Sequence, residues 1–141
     1  MVLGCASAGG TRDVDARVVA EGQFSDSHEA ALAVAADAAS RERLARVAGR
    51  PLAGDVLVAI FMGERPTGGY SVRVDGASVA GSEVRLRGAF VAPGAGAIVT
   101  QVITSPFAVV SLARSDLPSG AVTFLFSDSA RTLARADAVL P

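Results

Sequence analysis

The clearest hydrophobic pattern in the chain is the unbroken apolar run from Val56 to Met62, inside Asp55–Met62. A continuous run of that length reads as a strand covered on both faces. From Tyr70 the pattern changes to alternation, with Tyr70, Val72 and Val74 on one face and Ser71, Arg73 and Asp75 on the other. Between them lies Gly63-Glu64-Arg65-Pro66-Thr67-Gly68-Gly69. Pro66 fixes its own φ and biases Arg65 to an extended form, while Gly68 and Gly69 permit positive φ or a close backbone approach. The pattern predicts a hairpin with a long, shaped loop.

Downstream, Ser82–Phe90 alternates, placing Val84 and Leu86 inward and Glu83, Arg85 and Arg87 outward. That is a half-buried antiparallel strand. Pro93-Gly94-Ala95-Gly96 is a turn,. Ala97–Ile103 is the next predicted strand, interrupted by Thr100 and Gln101. Ser105-Pro106 breaks it, because proline cannot donate to a central ladder. Phe107–Leu112 resumes as a strand, Arg114–Gly120 is a polar turn, and Ala121–Phe126 is a short apolar strand. Arg131–Leu140 fits an edge strand or a short helix.

Upstream, Ala16–Glu21 reads as a Val-rich strand and Gly22–Ser27 as a turn,. Glu29–Ala36 fits a helix by its alanines and a buried strand by Ala31-Leu32-Ala33-Val34. Asp37–Gly49 predicts a short amphipathic helix, with Leu44 and Val47 on one face and Arg41, Glu42, Arg43 and Arg46 on the other. Ser40 and Asp37 are the candidate N-caps; Gly49 is the stop and Pro51 follows it. About eight strands against one helix predict an α+β, predominantly antiparallel fold, a sandwich or partly closed barrel. Parallel crossovers would need more helices.

Composition sharpens this picture. At 141 residues, half of them apolar and 19% charged, the chain is one globular domain,. Aromatics are 5% and Trp is absent, so the core is built from Val, Leu, Ile and six Phe. A net charge of −1 argues against a nucleic-acid partner, which calls for a basic stripe,. The basic residues are all Arg, as a GC-rich genome produces. One cysteine and one histidine exclude an intrachain disulfide, a multi-thiolate zinc site and a His-rich metal site,. No cofactor or metal is expected. No apolar run approaches the roughly 18 residues of a membrane span.

Val2-Leu3-Gly4-Cys5 resembles a bacterial lipobox, in which the residue after a small apolar run is the cysteine that receives lipid. The Ala, Ser, Gly and Thr that follow resemble the tether of a lipoprotein. Residues 1–15 are read as that tether and residues 16–141 as a single β-rich domain. A signal peptide carries a basic stretch and an apolar stretch of about 7–15 residues. Only Met1 to Gly4 precede Cys5, so the lipobox reading expects a start codon placed too late. The implied address is the cell envelope, outside the cytoplasm, with the domain anchored by lipid.

Gly63 and Gly68 have the spacing of a phosphate loop, but Gly69-Tyr70 stands where Lys-Ser/Thr is needed and a strand follows instead of a helix,. Nucleotide binding is therefore excluded. His28 lies in a turn beside Asp26, Ser27 and Glu29, and adjacency in a turn does not make a triad; an exposed turn histidine is expected. Gln101 and Thr104 are expected to hydrogen-bond the glycine-rich loop and hold Tyr70, in preference to lining a ligand site. Tyr70 is expected to be a half-buried anchor whose hydroxyl finds a partner. No nucleophile–base–acid set is recognisable, and no catalytic residue is assigned.

Phe61-Met-Gly-Glu-Arg-Pro-Thr-Gly-Gly-Tyr-Ser-Val72, then Pro93-Gly94, then Val99-Thr-Gln-Val-Ile-Thr-Ser-Pro-Phe-Ala-Val-Val110 together resemble the PrcB C-terminal domain family. The resemblance covers roughly Asp55 to Leu112. The residues that carry it are Gly63, Thr67, Gly68, Gly69, Tyr70, Gln101, Thr104 and Pro106. The family takes its name from an accessory subunit of a bacterial surface protease complex. The resemblance thus implies a non-catalytic accessory domain that assembles or stabilises a cell-envelope complex, with a protease or surface-layer protein as partner. Contact would use an exposed sheet edge or the Gly63–Tyr70 loop. The alternatives are a small-ligand-binding protein or hydrolase that uses His28, and a protease inhibitor with Arg65-Pro66 as bait.

Overall fold

The computed structural model describes residues 10–141. Among these, nine strands and one α-helix form three layers, sheet on sheet with the helix outside. In chain order the elements are β1 (Arg12–Val14), β2 (Arg17–Gly22), β3 (Ala31–Ala35), α1 (Ala38–Ala48), β4 (Val56–Phe61), β5 (Ser71–Ala80), β6 (Glu83–Val91), β7 (Phe107–Leu112), β8 (Gly120–Ser127) and β9 (Thr132–Leu140). One sheet runs β1-β5-β6-β8-β9 and the other β2-β7-β4-β3. The fold is the expected α+β, mostly antiparallel sandwich. β6 and β8 pair in parallel, because the chain leaves for the other sheet as β7 between them. Neither sheet closes into a barrel.

The main core lies between the sheets. β4 contributes Val56, Val58 and Ile60, β7 Ala108, Val110 and Leu112, and the facing sheet Val84, Leu86, Phe124 and Phe126. The other face of β4 and β7 is apolar too: Leu57, Ala59, Phe61, Phe107 and Val109 form a second core with Leu44 of α1. This is why Val56–Phe61 is buried at every position and why its sequence does not alternate,.

The helix is capped by Asp37, whose carboxylate accepts from Ser40 N at 2.8 Å. Ser40 serves as the third helical residue, its hydroxyl turned back toward Asp37 in a capping box,. Of the two candidate caps, the structure selects Asp37. Gly49 ends the helix, its N–H returning to Ala45 O at 2.9 Å. Glu29–Ala36 resolves to strand β3, since Leu32 packs into the main core and Ala31, Ala33 and Ala35 face the second core. Arg131–Leu140 resolves to the edge strand β9.

Three expectations are corrected. Asp55–Met62 and Tyr70–Asp75 are not a hairpin. Both sides of β4 are occupied, by β3 and β7, so the chain must cross to the other sheet before β5 can pair. Ala97–Ile103 is not a strand; its backbone meets the irregular crossover instead of a sheet edge. Arg12–Val14 lies inside the stretch read as tether, yet it pairs with Ala77–Val79 and puts Val14 into the main core. Cys5 lies outside the described residues.

Candidate functional site

Gly63–Tyr70 is the crossover between the sheets, and Val99–Pro106 lies against it. Met62 N donates to Pro106 O at 2.9 Å. Arg65 and Thr104 exchange two backbone hydrogen bonds, of 2.8 and 2.9 Å, and Gly68 N donates to Thr100 O at 2.8 Å. Thr104 Oγ1 adds a fourth tie, to Thr67 O at 2.8 Å. Thr104 is buried, so water does not compete for its hydroxyl,.

The glycines serve this contact unequally. Gly69 has φ +89°, and a Cβ there would stand 2.7 Å from Val99 Cγ1 and 2.9 Å from Pro93 Cβ. Only glycine satisfies both the backbone angle and the close approach. At Gly68 a Cβ would meet nothing nearer than 3.4 Å. Gly63 is crowded by backbone, with Glu29 C 2.9 Å from where its Cβ would be.

Residues that the sequence did not single out complete the bracing. Ser105 N donates to Gln23 O at 2.7 Å and Ser25 N to Ser105 O at 3.0 Å. Three serines close a ring: Ser27 N donates to Ser25 Oγ at 3.2 Å, Ser25 Oγ lies 2.6 Å from Ser105 Oγ, and Ser105 Oγ donates to Ser27 O at 2.6 Å. Gln23 Nε2 donates to Tyr70 O at 2.9 Å. The only sequence signal for these groups was the Ser-rich character of Gly22–Ser27, which marks a turn without naming its partner.

Gly63, Gly68, Thr104 and Pro106 are buried, Thr67 and Tyr70 half-buried, and Gly69 and Gln101 exposed. Thr104 holds the glycine-rich loop as expected. Gln101 does not: its amide reaches only Val99 O, at 3.3 Å and in solvent. Tyr70 is the half-buried anchor, packed against the main core, but the side-chain group it meets is a cation. The Arg65 guanidinium lies 5.8 Å from its ring centroid,. Among the described residues no side chain hydrogen-bonds the Tyr70 hydroxyl.

His28 is exposed, and its Nδ1 lies 2.9 Å from Glu64 Oε2. The nearby hydroxyls are committed to carbonyls, Ser27 Oγ to Glu29 O and Ser105 Oγ to Ser27 O. Arg65 is half-buried, with its backbone paired and its side chain folded over Tyr70. That posture withholds it from the specificity pocket of a trypsin-like protease. Among the described residues no three His, Cys, Asp or Glu side chains gather to hold a metal ion, and no helix is long and apolar enough to cross a membrane.

The bracing ends abruptly at the outer bend of the second segment. Ile98 is fully exposed, and Val102 and Ile103 are exposed on the same bend. The crossover holds this bend at its middle, through Thr100, and just past its end, through Thr104, while Ala97 N donates to Gly94 O at 3.0 Å in the turn before it. The PrcB C-terminal family model matches residues 56–113. Residues 56–113 are thus similar to that family. The match starts at the first residue of β4, ends one residue past β7, and holds the whole crossover with its partner segment. PrcB C-terminal is an accessory type of domain, consistent with a non-catalytic role. No curated protein and no solved structure matches the chain.

Proposed function

We propose that the chain is a lipid-anchored accessory subunit that docks a cell-envelope protein through the Ala97–Ile103 bend. The observation that carries this reading is the exposure of Ile98, Val102 and Ile103 on a bend tied to the crossover at Thr100 and Thr104. Exposed aliphatics on a mobile loop are ordinary; three on a braced one form a preorganised contact, which loses little entropy on binding. From Gly88 to Ala113 the sequence has no charged residue, so a docked partner need not desolvate an ion there,. The crossover is the frame for this surface. Accessory character agrees with the family match, and the partner fitting that family is a protease or surface-layer component of the envelope.

Anchoring is assigned to Cys5 on its lipobox-like setting, Val2-Leu3-Gly4-Cys5. Intact mass of protein from the native host tests it: the mass of a chain beginning at Cys5, raised by a thioether-linked diacylglyceryl group and an amide-linked acyl chain, supports the anchor, and the mass of an unmodified chain overturns it. Co-purification from native membranes tests docking. A stoichiometric envelope partner is expected; a soluble, solitary monomer would overturn the reading.

A further inference from the structure

A second surface lies on the outer face of the β2-β7-β4-β3 sheet, its Ser25 bank hydrogen-bonded to Ser105 just past the bend. α1 covers that face only in part. Beside it an open groove of about 640 Å³ is floored by Ala33, Leu44, Val47 and Phe61. One bank is Phe24 to Asp26, with Phe24 67% exposed. The other bank is α1, presenting Arg43 and Arg46. We infer that this groove seats an acidic segment of a partner polypeptide with an aliphatic or aromatic anchor.

Charge decides the occupant. The whole chain carries −1, yet Arg41 to Arg50 holds four arginines against one acid, Glu42. Arg41 is used structurally, donating to Asp55 O at 2.8 Å. Arg46 meets Glu42 at 3.3 Å in solvent, a pairing of small worth that a better-placed carboxylate displaces,. Arg43 acts on Asp37, but that carboxylate is committed to capping α1 through Ser40. Two guanidiniums thus border an apolar floor, ready for carboxylates. Asp26 on the opposite bank gives the groove a direction, since acidic groups are favoured only toward α1. A flat anionic membrane would meet the arginines but not the concave floor, which favours a peptide. None of the residues lining this groove belongs to the Ala97–Ile103 bend.

The test titrates ¹⁵N-labelled protein with three synthetic peptides of equal length. The first carries a central Leu-Phe flanked by aspartates, the second the same anchor flanked by lysines, and the third Gly-Ser flanked by aspartates. Only the first is expected to shift the amides of Phe24, Ala33, Leu44 and Val47. Reversing charge in Arg43→Glu/Arg46→Glu should weaken its binding about tenfold or more. Phe24→Ser should weaken it severalfold, and all three residues are exposed enough to leave the fold intact. Ile98→Ser/Ile103→Ser should bind as the parent does, which separates failure of this site from failure of the bend. No shift with any peptide, an equal response to the lysine peptide, or shifts centred on Ala97–Ile103 would overturn the inference. So would groove shifts that grow with protein concentration alone, which mark a second copy as occupant. Phosphatidylglycerol vesicles binding in place of the peptide, with loss in the double-arginine variant, would reassign the arginines to a lipid surface.

Discussion

Thr104 Oγ1 donates to Thr67 O at 2.8 Å, tying the segment before β7 to the crossover that leaves β4. Its donor Thr104 is buried and its acceptor Thr67 half-buried, and the bond sits beside the paired backbones of Arg65 and Thr104. Thr104→Val keeps the shape and removes the donor. It should lower unfolding free energy by about 1–2 kcal/mol in urea melts, since it leaves a carbonyl without its partner. Gln101→Ala should change stability by less than about 0.5 kcal/mol, because the glutamine is exposed,.

The adjacent glycines should respond differently. Gly69→Ala meets a positive φ and contacts of 2.7 and 2.9 Å, from Val99 and Pro93. It should cost about 1–3 kcal/mol. Gly68→Ala has neither obstacle, its nearest neighbour being Thr100 Cβ at 3.4 Å. It should cost less than about 1 kcal/mol. Paired denaturant melts check this, and equal losses would contradict the geometry.

The cap on α1 gives stability an acid dependence. The Ser40 side chain, then its backbone N–H, hydrogen-bonds the Asp37 carboxylate and holds its pKa below the usual 3.8. Asp128 is lowered as well, by the backbone N–H groups of Ala130 and Arg131. A depressed carboxylate pKa means that the folded state binds the proton less readily than the unfolded state. The stabilisation is therefore complete above the unfolded value and is lost as pH falls through the folded one. Melting temperature should drop on acidification below pH 4, and Asp37→Ala should flatten part of that drop while lowering the plateau.

Much of this architecture was legible because burial leaves a local trace. Val56–Met62 shows two-sided burial as an unbroken run, and Glu83–Val91 shows one-sided burial as alternation. Leu44, Val47 and Gly49 likewise outline the helix. Sheet membership leaves no such trace: nothing within β4 or β5 says that they lie in different sheets, and a shaped loop suits a crossover as well as a hairpin. Ala97–Ile103 has strand-like composition but finds no free sheet edge, so composition misleads there. At the site, Thr104 was legible as a polar residue before a buried proline. Gln23, Ser25 and Ser105 were not, because their partners are distant in sequence and their residue types suit any turn.

The bend itself should be dispensable for folding. Ile98→Ser/Ile103→Ser removes side chains that touch mostly solvent, so its stability should stay within about 0.5 kcal/mol of the parent,. Urea melts of the purified variant check this, and a larger loss would mean that these side chains are structural.

Quantitative co-purification from native membranes, parent against this folded double variant, tests the docking account most directly. The account predicts an envelope partner recovered in stoichiometric amount with the parent and largely lost with Ile98→Ser/Ile103→Ser. Equal recovery with both proteins, or a parent that emerges alone as a soluble monomer, would contradict it.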